Sequence, residues 1–117
     1  MNSYKPGLHI VSTFNCSEDK LTDAAFCKTI FDKIIAELSL QKVGEVYYSF
    51  PGAGYTAVVC LTESHVSIHT WPEHKLATFD VFLSSFERDN ADRVKHFFDQ
   101  MILMFEASVT DKQEITR

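Results

Sequence analysis

The sequence has 117 residues, of which 45% are hydrophobic and 23% are charged, a composition typical of one globular domain and not of a disordered chain. A net charge of -5 and the lack of a basic run argue against a nucleic-acid partner, and no apolar run of membrane-spanning length or signal-peptide core is present. Three cysteines without a Cys-x-x-Cys pair indicate free thiols, so we expect a single domain over residues 1–117, located in the cytoplasm and away from membranes.

The chain is predicted to begin with a strand and a long helix. Residues 7–14 are rich in β-forming side chains and predict the strand. The hydrophobic period then changes, because apolar residues recur every three or four positions between Phe26 and Leu38, as in an amphipathic helix. We expect this helix over residues 22–40, with Thr22 as its N-cap.

Four further segments have the pattern of strands, over residues 42–50, 55–62, 64–71 and 76–83. The turn-forming residues at positions 51–54 separate the first two, and Pro72 ends the third. A second amphipathic helix is expected over residues 90–107. The tail from Ser108 is expected to add a last strand.

The element order, summarised as β-α-β-β-β-α-β, predicts the fold class. It is typical of an α+β two-layer sandwich, with a mostly antiparallel sheet and two helices packed on one face. The other face of such a sheet must be polar or must pack against another surface. Because ten phenylalanines provide much aromatic area, we expect this face to form a homodimer.

The five histidines first suggest a metal site. On a strand over residues 64–71, His65, Ser67 and His69 share one face, and the two histidines lie ~13 Å apart at about 3.3 Å per residue. Ligands of one zinc ion each lie about 2.1 Å from it, so this pair cannot share an ion and we predict no metal. The glycines near position 53 do not form a nucleophile elbow. Without further information, these polar residues favour a strand whose histidines and serines satisfy one another.

The segment from Glu63 to Glu73, ESHVSIHTWPE, resembles the self-processing motif of bacterial and archaeal S-adenosylmethionine decarboxylases. The match is contiguous and includes unusual residues such as tryptophan and proline. Similarity extends to residues 7–11, to residues 50–63 and to the strand at residues 80–82. The resemblance therefore covers nearly the whole chain and weakens after about residue 108.

This resemblance implies that the protein cuts its own chain between Glu63 and Ser64. In the family the serine hydroxyl attacks the preceding carbonyl to give an ester, and elimination with loss of ammonia leaves a pyruvoyl group. That cofactor condenses with the substrate amine and acts as an electron sink during decarboxylation. The implied substrate is S-adenosylmethionine, whose decarboxylated form is the aminopropyl donor for spermidine biosynthesis.

The resemblance also implies roles for other residues. His69 matches a histidine that assists proton transfer in processing, and Thr56 stands where the family has a serine that aids it. Phe50 matches an aromatic residue that stacks on adenine, and Glu73 a carboxylate that holds the ribose hydroxyls. Family members build each site across a homodimer interface. Without the resemblance, Phe50 could be a core aromatic and Glu73 a solvated turn residue.

The chain departs from the family pattern at Ser84, where relatives carry a cysteine that acts as general acid. A thiol has a pKa of about 8.5 and an alcohol is a far weaker acid, so Ser84 is a poor proton donor. Cys16 is a conceivable replacement. Two alternatives therefore stay open, namely a pyruvoyl-dependent decarboxylase of another amino acid (ornithine or arginine) and an uncleaved, non-catalytic homologue.

Overall fold

A computed structural model describes residues 4–86 and 88–117. Its elements, in chain order, are β1 (Leu8–Asn15), α1 (Glu18–Leu21), α2 (Ala24–Glu37), β2 (Lys42–Ser49), β3 (Tyr55–Leu61), β4 (Ser64–Trp71), a 3-10 helix (Pro72–His74), β5 (Leu76–Leu83), α3 (Ala91–Met104) and β6 (Ser108–Thr116). No helix in this described part of the chain is long and apolar enough to cross a membrane.

The strands form one six-stranded sheet in the order β2-β3-β4-β5-β1-β6, and every neighbouring pair is antiparallel. The α+β prediction is confirmed, as is the last strand at the C-terminal end. Four strands lie between α2 and α3, so the summary order β-α-β-β-β-α-β was short by one, although each of the four segments had been predicted separately.

The helix boundaries differ from the predicted ones for local reasons. Asp23, and not Thr22, caps α2, because its carboxylate accepts a hydrogen bond from the Phe26 N–H at 3.0 Å. The Thr22 hydroxyl instead donates to carbonyls of α1, a four-residue helix that was not predicted. α3 ends at Met104, followed by Glu106 in a left-handed conformation at φ 50°.

The core lies between the helices and one face of the sheet. Phe31 of α2 is its centre, with its ring 5.9 Å from Phe97 of α3 and 6.1 Å from Phe79 of β5. All three rings are almost completely buried, and full burial of such a side chain stabilises the fold by about 1.5–3 kcal/mol. Much of the aromatic area therefore belongs to the core.

In the described residues the helices pack on one face only, and we call the opposite face of the sheet the open face. Strand alternation and cross-strand pairing place Val46 and Tyr48 of β2, Val58 of β3 and Trp71 of β4 on it. Val46 is 65% exposed and Val58 is 40% exposed. The open face thus presents apolar side chains to solvent at neighbouring positions.

Candidate active site

The residues singled out in the sequence form two groups at opposite ends of β4. Ser64 is the first residue of the strand and Trp71 the last. His69 is five residues beyond Ser64, which places the two about 16 Å apart at 3.3 Å per residue. Within one chain, therefore, the serine and the histidine of the motif do not meet.

The first group is the cleavage turn, formed by Thr62, Glu63 and Ser64. β3 and β4 pair up to Leu61 opposite Ser64, so only two residues connect the strands. Ser64 has a φ of 138°, in a region that side-chain-bearing residues rarely adopt and that costs about 1–3 kcal/mol. The strained torsion is about the N–Cα bond of Ser64, directly after the peptide bond between Glu63 and Ser64.

The main chain of Ser84 lies against the cleavage turn. The register of β4 and β5 sets Leu83 opposite Ser64, and the next N–H, that of Ser84, donates to the Glu63 carbonyl oxygen at 2.7 Å. A donor on this oxygen polarises the carbonyl and stabilises negative charge that develops there during an attack. Ser84 is thus beside the predicted cleavage site.

The Glu63 carboxylate is held by two residues that the sequence analysis missed. Arg88 binds both of its oxygens, at 2.7 and 3.1 Å. The fully buried Asn90 donates to Glu63 and also to the Ser84 carbonyl, the latter at 2.8 Å. The hydrogen bonds from Arg88 are the main reason why the pKa of Glu63 is lowered. Both residues follow β5 in a loop with no recognisable motif.

The second group lines a cleft of about 420 Å³ at the other end of β4. Phe50 is 48% exposed and packs edge-on against Tyr48 at 5.0 Å, so it is not a core aromatic. Thr56 and His69 face each other across β3 and β4 and are joined by a hydrogen bond between Oγ1 and Nδ1. The cleft is lined by Phe50, Ala53, Gly54, Tyr55, Thr56, His69, Thr70, Trp71 and Glu73.

The cleft has this shape because the loop before β3 approaches the end of β4 closely. A Cβ on Gly54 would overlap the hydroxyl and carbonyl of Thr70, so only glycine fits there. The Thr70 hydroxyl accepts a hydrogen bond from the Tyr55 N–H at 2.9 Å and donates one to the Leu21 carbonyl at 2.7 Å. These bonds tie the loop, the strand end and α1 together.

A third cluster, which we call the Asp80 cluster, lies on the open face near Ser64. The Asp80 carboxylate accepts hydrogen bonds from His9 at 2.7 Å, from His65 at 3.0 Å and from Ser67. Burial raises the pKa of Asp80, but these hydrogen bonds outweigh it and the pKa is lowered. Ligand atoms of the two histidines and Asp80 lie within 4.8 Å of one another, close enough to share a metal ion, yet they hydrogen-bond to one another here. The spacing along β4 argues against an ion shared by His65 and His69, but it carries no information about His9 and Asp80, which lie on other strands.

Cys16 lies at the end of the sheet that carries the cleft. Its N–H donates to the Lys75 carbonyl at 3.1 Å, just beyond the 3-10 helix. Burial raises the pKa of its thiol to about 11, so it stays protonated at neutral pH. Its role as a replacement proton donor stays a prediction.

The chain is similar to known proteins both in sequence and in structure. A family described as S-adenosylmethionine decarboxylase matches residues 8–117. An S-adenosylmethionine decarboxylase proenzyme of Aquifex aeolicus is 42% identical over 77 residues, which cover 65% of this chain and 57% of the relative. One of Picrophilus torridus is 32% identical over 112 residues, covering 95% and 83%. The crystal structure of the adenosylmethionine decarboxylase from Aquifex aeolicus superposes with a TM-score of 0.79 at 28% identity, covering 98% of this chain and 91% of that one.

Proposed function

Since the chain belongs to the S-adenosylmethionine decarboxylase family, we propose that it is a self-cleaving, pyruvoyl-dependent S-adenosylmethionine decarboxylase. The observation that carries this proposal is the cleavage turn, where a strained Ser64 follows a carbonyl already bound by an N–H group. We expect residues 1–117 to act as one domain. The free thiols of all three cysteines fit the cytoplasmic location expected from the sequence.

In the proposed processing step, the Ser64 hydroxyl attacks the Glu63 carbonyl carbon. The Ser84 N–H stabilises the negative charge that develops on the carbonyl oxygen. Arg88 and Asn90 hold the Glu63 side chain, which helps to keep the Glu63 residue in place beside its attacker. Breaking the peptide bond also releases the backbone strain at Ser64, which favours the forward direction.

The residues around Ser64 fit the cofactor that would arise there. A pyruvoyl group supplies a conjugated carbonyl that takes up the electron pair freed by the loss of CO2. Position 64 lies beside a small cavity of about 180 Å³ lined by Thr62, Glu63, Ser84 and Phe86. The chain itself therefore provides room and hydrogen-bond donors at this position.

The separation of Ser64 and His69, about 16 Å along β4, supports a homodimer with shared sites. If two open faces meet about a two-fold axis that is perpendicular to β4 and passes near its middle, the β4 strands of the two subunits run in opposite directions. The Ser64 end of one subunit then lies over the partner's cleft. The exposed apolar side chains of the open face, such as Val46 and Val58, are of the kind that such an interface buries.

The cleft suits a nucleoside with a positively charged group. Phe50 offers an exposed ring for stacking on adenine, and the Glu73 carboxylate can accept hydrogen bonds from ribose hydroxyls. The aromatic surface of Phe50 and Trp71 also attracts a sulfonium cation. Ornithine and arginine have no base or ribose for these groups to bind, so the cleft favours S-adenosylmethionine, the precursor of the aminopropyl donor for spermidine.

Ser84 sets the acid chemistry of this enzyme apart from that of the family. A donor at position 84 lies near the reacting carbon, because Leu83 pairs with Ser64. An alcohol gives up its proton far less readily than a thiol. We therefore propose slow protonation of the product carbon, with occasional protonation of the cofactor carbon in its place.

The intact mass of freshly purified protein, taken under denaturing conditions, tests the proposal. We expect two fragments, one ending at Glu63 and one beginning with a pyruvoyl group. Ser64→Ala should stay whole because no oxygen can attack, whereas the control Ser108→Ala, at the exposed start of β6, should be cut. A wild-type chain that stays whole would leave the non-catalytic homologue as the answer. CO2 release from ornithine or arginine, and not from S-adenosylmethionine, would point to the other alternative.

A further inference from the structure

The residue that follows the scissile bond is a histidine whose two ring nitrogens both have partners. Ser64 Oγ lies 3.3 Å from His65 Nδ1, and His65 Nε2 lies 3.0 Å from Asp80 Oδ2. A hydroxyl, an imidazole and a carboxylate are therefore aligned in the order of a Ser-His-Asp triad. The ring nitrogens have the opposite roles to those in the triad, because Nδ1 faces the serine and Nε2 faces the carboxylate. All three groups belong to one chain.

The donors around Asp80 determine which nitrogen of each histidine carries a proton. Arg117 can only donate, and its Nη1 lies 3.3 Å from His9 Nδ1. His9 Nδ1 is therefore the acceptor, and His9 Nε2–H donates to Asp80 Oδ2 at 2.7 Å. Ser67 donates to the other oxygen of Asp80. The carboxylate, an acceptor only, also takes the Nε2–H of His65, which leaves Nδ1 of His65 free to accept the Ser64 proton.

We propose that His65 is a catalytic residue of self-cleavage, acting as the general base for the attack of Ser64 on Glu63, with Asp80 as its positioning residue. His65 Nδ1 takes the Oγ proton while the bond from Oγ to the Glu63 carbonyl carbon forms. It then returns this proton to the Ser64 nitrogen as the carbon–nitrogen bond breaks. The peptide is converted to an ester of the same composition, with no other reactant. This inference rests on the proposed self-cleavage.

In this proposal, His65 and His69 act in two different steps, the acyl shift and the elimination. His65 touches the Ser64 hydroxyl, whereas His69 of the same chain is about 16 Å away along β4. The base at His65 and the Ser84 N–H on the carbonyl oxygen act within one subunit on the acyl shift. The partner's His69 then serves the elimination that follows.

The test follows the self-cleavage of freshly translated chains with time on denaturing gels. Glutamine at position 65 retains an N–H for Asp80 but cannot take up a proton, so His65→Gln should slow cleavage by about 100-fold or more. His96→Gln is the matched control, because His96 is exposed on α3 and should be cut at the wild-type rate. His65→Asn, with its amide near the position of Nδ1, repeats the test if thermal melting shows that His65→Gln is unfolded.

Hydroxylamine, which cleaves esters and leaves peptides intact, identifies the step. It should release no additional fragments from His65→Gln, because the ester does not form. It should release both fragments from His69→Gln, in which the ester accumulates. Wild-type cleavage in His65→Gln and His65→Asn, or rapid release of fragments from either by hydroxylamine, would overturn the role of His65. An uncut wild-type chain would instead overturn the proposed function, and this inference with it.

Discussion

Replacing Thr70 by valine removes one hydroxyl group from beneath the cleft while nearly preserving the shape of the side chain. The hydroxyl accepts a hydrogen bond from the Tyr55 N–H and donates one to the Leu21 carbonyl. Thr70 is 7% exposed, and Tyr55 and Leu21 are fully buried. Water therefore cannot replace the lost hydroxyl as a partner for either main-chain group.

The loss of stability follows from two main-chain groups, the Tyr55 N–H and the Leu21 carbonyl, that would lose this hydrogen-bond partner. Each buried polar group without a partner costs about 1–3 kcal/mol, and burial of the additional methyl group returns about 0.8 kcal/mol. The free energy of unfolding should thus fall by about 1–5 kcal/mol. At about 2.1 cal/mol/K of unfolding entropy per residue, a chain of 117 residues should lose about 5–21 °C in Tm.

Thermal melting followed by circular dichroism measures this shift. The protein concentration must be the same for all variants, because the Tm of the proposed dimer would depend on it. The matched control is Thr29→Val on the exposed side of α2, whose hydroxyl donates to the Ala25 carbonyl of its own helix. Its Tm should move by about 2 °C or less. If Thr70→Val melted within the same narrow range, the hydroxyl would not be holding the strand end, and the account of the cleft floor would be refuted.

Three further predictions concern catalysis, assembly and pH. Ser84→Cys should raise the rate of CO2 release from S-adenosylmethionine, or reduce cofactor loss per turnover, because a thiol is the stronger acid; an unchanged rate would mean that another group donates. Val58→Asp puts a charge on the open face and should give monomers in light scattering, whereas Leu103→Asp, on the exposed side of α3, should stay dimeric. A dimeric Val58→Asp would contradict the proposed interface. Because Arg88 lowers the pKa of Glu63, the wild type should be more stable than Glu63→Gln above the ordinary carboxyl pKa of 4.5. That difference should vanish in urea titrations as the pH falls through the lowered pKa, and a difference that persisted in acid would argue against the ion pair.

Local patterns in the sequence predicted the elements whose burial is regular. The stripe from Phe26 to Leu38 predicted α2 because it extends over several turns. Strict alternation predicted β4, and Val66 and Ile68 do face the core. α1 was not predicted, because four residues with one buried side chain, Leu21, carry no periodic signal.

Contacts between distant strands could not be predicted in the same way. The Asp80 cluster exists because β5 lies between β4 and β1. No local sequence pattern in any one segment indicates this strand order. The contacts of Asn90 likewise depend on how the loop after β5 folds back on the cleavage turn. Both arrangements arise from long-range pairing, which hydrophobic periodicity does not encode.

Residues that are close in sequence within the motif from Glu63 to Glu73 do not all lie in the same site. The resemblance identified Phe50, Thr56, His69 and Glu73, and the structure brings these four into one cleft. It does not bring them to Ser64, because residues along a strand are fully extended. A contiguous motif thus contains parts of two separate sites.

This division of β4 has a genetic consequence for the proposed dimer. A chain carrying Ser64→Ala and a chain carrying His69→Gln would each be inactive as a pure assembly. In a mixed pair, both lesions fall in the same site, and the other site receives an unaltered serine from one chain and an unaltered histidine from the other. Two null alleles expressed together should therefore complement each other, and activity regained in such hybrids would show that each strand serves two different reaction centres.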